Sequence, residues 1–70
     1  MTGAQVLRLI RRAGCSPGVV RQVGSHLRVE CGRCRTTVPV HRGQDLPIGT
    51  LRAIERDLEP CLGKGWLRRR

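Results

Sequence analysis

The chain has 70 residues, with 14 lysines and arginines against five acidic residues and a formal net charge of +9. A domain this short buries a small core, so a substrate is expected on an open surface and not in a deep cavity. The charge predicts a polyanionic partner, whereas the single aromatic residue, Trp66, argues against a single-strand binder built on stacked aromatic side chains.

The N-terminal region contains no apolar run as long as a signal peptide or a membrane span, because Arg8, Arg11 and Arg12 interrupt it. We therefore expect a cytoplasmic protein that is not attached to a membrane. In that reducing compartment, four cysteines are more typical of free thiols or a metal site than of disulfides.

The first predicted element is an amphipathic helix. Thr2 and Gln5 have the spacing of a capping box, and Gly14 is a typical residue for ending a helix. Apolar residues recur between them at helical intervals, at Val6, Leu9, Ile10 and Ala13. A turn at 16–18 follows.

Three short strands are predicted next, at 19–23, 26–31 and 34–40. The Gly32-Arg33 loop suits a type II′ hairpin, which fixes the register of the second and third strands. The apolar face then carries Leu27, Val29, Cys31, Cys34, Thr36 and Val38. The other face, polar and basic, carries His26, Arg28, Glu30, Arg35, Thr37 and Pro39. The register of the first strand stays open, because Gly24-Ser25 fits either a strict two-residue turn or a bulge.

A second helix is predicted to start near Pro47 and to end at Pro60. Its apolar side carries Ile48, Leu51, Ile54 and Leu58. The fold class is therefore α+β in the order α-β-β-β-α, with both helices on one face of a three-stranded antiparallel sheet. We expect one domain over residues 1–60 and a basic tail over 61–70.

Both histidines are predicted on the open polar face. His26 begins the second strand, and His41 lies two residues past Pro39, so pairing parity makes the two diagonal neighbours. Two imidazoles on an arginine-rich face suit RNA transesterification, in which one takes the proton of the 2′-hydroxyl and the other protonates the 5′-oxygen. The alternative is that both are solvated surface residues, with the ring of His41 hydrogen-bonded to backbone near the second helix.

Three successive blocks of the sequence resemble the HicA toxin family. They are Val20-Arg21-Gln22-Val23-Gly24-Ser25-His26, Thr37-Val38-Pro39-Val40-His41-Arg42-Gly43 and Gly49-Thr50-Leu51-Arg52-Ala53-Ile54. The resemblance implies a fold like the double-stranded RNA-binding domain, mRNA endoribonuclease activity that needs no cofactor, and a HicB-like antitoxin partner. It assigns catalysis to His26, which Gly24 would present in a tight turn, whereas the role of His41 rests on parity. The hairpin at 31–34 and the tail depart from the family pattern.

Four residues near the histidines are candidates for RNA contacts. They are Arg21, Ser25, Arg28 and Arg42. For the arginines, a solvated basic face is the plainer interpretation. The alternative function for the whole chain is a non-catalytic module, either a small RNA-binding domain or a zinc-stabilised adaptor.

The cysteines are predicted to converge at the end of the sheet opposite the histidines. Cys31 and Cys34 flank the hairpin loop, the first helix delivers Cys15, and the second helix delivers Cys61. These four residues have the ligand count of a tetrahedral structural zinc site, which would stabilise a small core. Buried thiols without a metal are the alternative, and disulfides rank last.

Overall fold

The computed structural model describes residues 1–15 and 20–68. Its helices are α1 (Gly3–Arg12) and α2 (Ile48–Leu62), and its strands are β1 (Val20–Val23), β2 (His26–Cys31) and β3 (Cys34–Pro39). The strands form one antiparallel sheet in the order β1-β2-β3. The predicted α+β class and the order α-β-β-β-α are confirmed. The turn predicted at 16–18 and the predicted first residue of the first strand, residue 19, lie outside the described residues.

The start of α1 is fixed by the predicted capping box. The Gln5 backbone N–H donates to Thr2 Oγ1 at 3.2 Å, and the Thr2 N–H donates to Gln5 Oε1 at 2.8 Å. Each bond satisfies a donor that the first helical turn would otherwise leave unpaired. One side of the helix then buries Val6 and Ile10 completely.

Both strand registers are now defined. Leu27 pairs with Val38 and His26 with Pro39, as the Gly32-Arg33 loop predicts. The first register, left open by the sequence, follows a strict two-residue turn at Gly24-Ser25, because Val23 pairs with His26. Gly24 has a φ of 60°, in the left-handed region that glycine adopts at little cost.

The sheet has one buried face and one open face. Residues alternate between buried and exposed along β2 and β3, beginning with exposed His26 and buried Leu27. The buried side contributes Val29 and Val38, both fully enclosed, to the core shared with the helices. Burial on one side alone is what an antiparallel sheet covered by a single helical layer requires. The histidine-bearing face is therefore left to solvent.

The helix α2 continues through Pro60 to Leu62, whereas the sequence predicts an end at Pro60. Proline removes its own N–H donor and its ring crowds the carbonyl four residues earlier, but the Gly63 N–H still donates to the Glu59 carbonyl at 2.8 Å. A disulfide between Cys61 and Cys34 ties this last turn to β3. These contacts offset the cost of a proline within the helix.

The segment after α2 folds back on the helix. Trp66 is 2% exposed, and its Nε1 donates to the Glu55 backbone carbonyl at 2.9 Å. Leu67 is buried as well, and Arg68 forms an ion pair with the Glu55 carboxylate at 3.2 Å. Part of the segment that the sequence predicts as a tail therefore belongs to the hydrophobic core.

Candidate active site on the open face of the sheet

His26 is the first residue of the central strand. It pairs with Val23 of β1 on one side and with Pro39 of β3 on the other. Its side chain is exposed and lines a shallow depression of about 500 Å³ together with Val23, Arg28 and Thr37. A depression of this kind suits a flexible phosphodiester chain better than a small molecule, which needs an enclosed pocket.

The side chains around His26 leave its imidazole accessible. Within residues 1–15 and 20–68, no hydrogen bond or ion pair engages the His26 ring. Arg28 lies two residues after His26 on the same face of the sheet, and Thr37 is the cross-strand partner of Arg28. The ring can therefore exchange a proton with a substrate whose phosphate lies against the Arg28 guanidinium.

His41 contacts the turn that precedes His26. The ladder between β2 and β3 is extended by one bond, from the Val40 N–H to the Ser25 carbonyl at 2.7 Å. His41 Nε2 then lies 3.3 Å from Ser25 Oγ, and the tautomer decides which atom donates. The sequence predicts His26 as the neighbour of His41 and a backbone group as the alternative hydrogen-bond partner. The structure gives a side-chain partner, Ser25.

The loop that carries His41 is anchored at two points. The Gln44 N–H donates to the His41 carbonyl at 3.1 Å and closes a turn. The N-terminal ammonium of Met1 forms an ion pair with Asp45 at 3.0 Å, and the Leu46 N–H donates to the Met1 carbonyl. The loop is thereby held against the start of α1 and keeps His41 near the start of β2.

Positive charge on the open face is concentrated toward the histidine end. Glu30 and Arg35 face each other beside the hairpin, so their charges offset there, whereas Arg28 has the neutral Thr37 opposite it. Arg42 is exposed in the loop after His41. These are two of the arginines that the sequence selects as candidates for RNA contacts.

The backbone of Arg21 pairs with that of Arg28, but the Arg21 side chain lies outside the described part of the chain. Its selection as a phosphate contact therefore stays a prediction.

Sequence reasoning missed the contact between Ser25 and His41. The signal for it is present in the register. If the ladder extends by one pair beyond His26 and Pro39, it places Ser25 opposite Val40 and beside His41. The prediction selected Ser25 for a contact with RNA instead, because a turn serine is usually read as a solvated residue.

The four cysteines meet at the opposite end of the sheet, as the topology predicts, but in a different chemical state. They form two disulfides, Cys15–Cys31 and Cys34–Cys61. Zinc binding requires thiolates, which disulfide sulfurs are not. In the described residues there is accordingly no group of three or more side chains able to hold a metal. The disulfides replace the predicted zinc site, because spacing fixes proximity and not oxidation state.

Neither α1 nor α2, the helices of the described chain, has the length and apolar character needed to cross a bilayer.

Comparison with known proteins gives one family. Residues 3–59 match the sequence profile of a family described as the HicA toxin of bacterial toxin-antitoxin systems. No curated protein and no solved structure matches the chain. The matched span contains the turn at Gly24-Ser25, both histidines and the loop between β3 and α2.

Proposed function

This chain belongs to the HicA toxin family and is a toxin of a bacterial toxin–antitoxin system, and we propose that it acts as an endoribonuclease on mRNA. The single observation that carries this proposal is the exposed His26 imidazole beside Arg28 on an open, basic sheet face. A chain of net charge +9 attracts a polyanion to such a face. An RNA strand is a polyanion that also supplies its own nucleophile.

The proposed reaction is transesterification. The 2′-oxygen of the RNA attacks the adjacent phosphorus while its proton passes to one imidazole. The bond from phosphorus to the 5′-oxygen breaks, and that oxygen receives a proton from a second acid. The products are a 2′,3′-cyclic phosphate and a free 5′-hydroxyl. This step therefore consumes no water, and in the proposed mechanism it needs no metal ion.

His26 supplies one of the two proton transfers and His41 the other. Histidine suits both roles because its ordinary pKa lies near neutrality. The hydrogen bond between Ser25 and His41 restricts the orientation of the second ring. Ser25 thus acts in this mechanism as a positioning residue, and its position next to His26 couples the two histidines through one turn.

Guanidinium groups bind the phosphate and the negative charge that develops on it. We assign this role to Arg28, which lines the depression together with His26, and to Arg42, which is exposed in the loop after His41. Electrostatic binding of this kind weakens as the salt concentration rises, because the release of counterions from the RNA, which favours binding, then gains less entropy.

The family implies an antitoxin partner. We propose that a HicB-like antitoxin inhibits the toxin by covering the same face with an acidic surface. Such a surface would pair with the arginines and exclude RNA from His26.

The test compares wild type with His26→Ala in growth arrest on expression and in RNA cleavage by purified protein. We expect wild type to arrest growth and to leave 2′,3′-cyclic phosphate ends, and we expect the variant to do neither. A substrate with a 2′-deoxy sugar at the cleaved position must stay intact, because it lacks the nucleophile.

Two outcomes would overturn the proposal. Cleavage by a pure, folded His26→Ala variant at the wild-type rate would remove His26 from the reaction. RNA binding without cleavage by wild type, under conditions in which growth is arrested, would favour a non-catalytic binding module.

A further inference from the structure

The cysteine cluster lies at the opposite end of β2 from His26, because this strand runs from His26 to Cys31. Cys31 and Cys34 are direct partners across the hairpin. The first is bonded to Cys15 after α1, and the second to Cys61 near the end of α2. Two disulfides thus stand side by side on the helix-facing side of one strand pair. The proposed RNA chemistry uses none of these residues.

We propose that reduction of both disulfides creates a zinc site in which Cys15, Cys31, Cys34 and Cys61 bind one Zn²⁺ ion. Each disulfide accepts two electrons and two protons and yields two thiols. Two molecules of a thiol reductant supply both and become a disulfide, whereas a phosphine supplies the electrons and becomes its oxide with the oxygen of a water molecule, which supplies the two protons. The four thiols then release four protons as they bind the metal as thiolates. The oxidised protein offers no ligand set at this position.

The backbone already holds the four residues at suitable distances. The Cα atoms are 5.7 Å apart in the pair Cys15 and Cys31, and 6.2 Å apart in the pair Cys34 and Cys61. In a tetrahedral site with Zn–S distances of about 2.3 Å, sulfur atoms lie about 3.8 Å from one another. Rotation about the Cα–Cβ bonds separates the sulfurs by this amount without moving the strands.

The hairpin brings the two pairs together. Directly opposed residues in an antiparallel ladder have Cβ atoms about 4.5 to 5.5 Å apart, which places Cys31 and Cys34 within reach of one ion. The Sγ atom of Cys61 lies against the loop, 4.0 Å from where a Cβ on Gly32 would stand. On the other side, the Sγ atom of Cys15 lies 3.9 Å from the Glu30 carbonyl oxygen.

Burial and charge favour the metal over free thiols. Cys15, Cys31 and Cys34 are each more than nine-tenths buried, whereas Cys61 is exposed, so a zinc ion held by the four would have three buried ligands and one ligand at the surface. Arg33 and Arg35 line one depression with Cys34 and Glu30, so positive charge outnumbers negative charge where the Cys34 thiolate would form. Reduction also removes two cross-links from a small domain, and a bound ion restores one cross-link among the same segments.

The test uses the full chain, reduced anaerobically with a phosphine and then freed of it. Titration with Zn²⁺ alone is expected to give one ion per reduced chain and none per oxidised chain. Titration with Co²⁺ should give the intense visible bands of tetrahedral thiolate ligation. Zinc should also raise the thermal midpoint of the reduced protein, which separates a folded site from capture of metal by an unfolded chain.

Substitutions at the outer ligands locate the site. Cys15→Ser and Cys61→Ser are each expected to weaken zinc binding by more than about 100-fold, since loss of a ligand exceeds the usual loss from an outer-shell change. The matched control is His26→Ala. It removes a side chain of a type that can bind zinc, but at the opposite end of β2, so it should leave the zinc affinity unchanged.

Three results would overturn the proposal. The first is reduced wild type that takes up no stoichiometric zinc. The second is wild-type zinc affinity in both serine variants. The third is zinc that binds without raising the thermal midpoint. The wild-type titration and midpoint decide the question even if a serine variant fails to fold.

Discussion

Replacing Trp66 with alanine tests whether the segment after α2 is part of the fold. The side chain is 2% exposed and packs in the same core cluster as Leu58 and Ile54. Truncating a buried tryptophan to alanine costs about 3 to 5 kcal/mol, because packing is lost and a cavity remains. A domain of this length has a total stability of roughly 4 to 10 kcal/mol. We therefore expect the variant to lose about a third or more of the wild-type free energy of unfolding, and to lie close to its unfolding midpoint if the wild-type value is at the lower end of that range.

A second substitution separates packing from hydrogen bonding. Trp66→Phe keeps an aromatic ring but removes the N–H that donates to the Glu55 carbonyl at 2.9 Å. That carbonyl belongs to α2 and still accepts a hydrogen bond within the helix. We therefore expect the free energy of unfolding to fall by only about 1 to 2 kcal/mol. The order of stability is wild type, then Trp66→Phe, then Trp66→Ala.

The assay is denaturant unfolding of the disulfide-intact protein, followed by far-ultraviolet circular dichroism. This probe is needed because the chain has a single tryptophan and the variants lack its fluorescence. The matched control is Arg33→Ala at the exposed hairpin tip, which should change stability by less than about 0.5 kcal/mol. A Trp66→Ala variant within about 0.5 kcal/mol of wild type would refute the claim that this segment completes the core.

Three further predictions concern the start of α1 and the proposed site. Gly3→Ala should destabilise the protein by about 3 kcal/mol in thermal unfolding, because a Cβ there would collide with the Pro39 backbone carbonyl; an unchanged midpoint would contradict this close approach. Arg28→Ala should weaken RNA binding and lower the steepness of log affinity against log salt concentration by about 0.7, whereas Arg33→Ala at the hairpin end of the sheet should change neither. Equal effects of the two substitutions would mean that RNA binds to the basic surface without preference for the histidine end. Ser25→Ala should lower the single-turnover cleavage rate by about tenfold with little change in RNA affinity, and a loss of affinity alone would make Ser25 an RNA contact.

Local rules were sufficient for most of the architecture. The capping box at Thr2, the glycine-first loop at Gly32 and the alternation along β2 each select one backbone geometry, and the structure agrees with all three. The register of β1 could not be predicted, because Gly24-Ser25 is compatible with a strict two-residue turn and with a bulge. Long-range pairing of Val23 with His26 decides between them.

The errors came from effects that a local pattern does not contain. Pro60 is a helix breaker by its own chemistry, yet the Cys34–Cys61 disulfide and the packing of Trp66 hold the helix beyond it. Residues 64–68 show no periodicity because they fold as turns, and turns carry no amphipathic signal. The cysteine cluster was located correctly, but its disulfide pairing was not predicted, because oxidation state depends on the surroundings of the protein as well as on its sequence.

The placement of His26 and Arg28 on the open face was predictable, and the contacts of His41 were less so. Register and parity place His26 on the open face with Arg28, and the structure agrees. The alternation of residues between the two faces could not predict the contact of His41, because β3 ends at Pro39. The His41 ring instead contacts Ser25 in the turn before β2. The catalytic roles of both histidines stay predictions.

The most direct test of the central claim is the single-turnover cleavage rate of one RNA by wild type and by His26→Ala, measured at equal saturation. General acid–base catalysis by a histidine contributes about 10² to 10⁴-fold. Removal of the imidazole should therefore lower the rate by at least about 100-fold, while RNA affinity and the cooperative unfolding transition stay close to those of wild type. A rate within a factor of about three of wild type would contradict catalysis by His26.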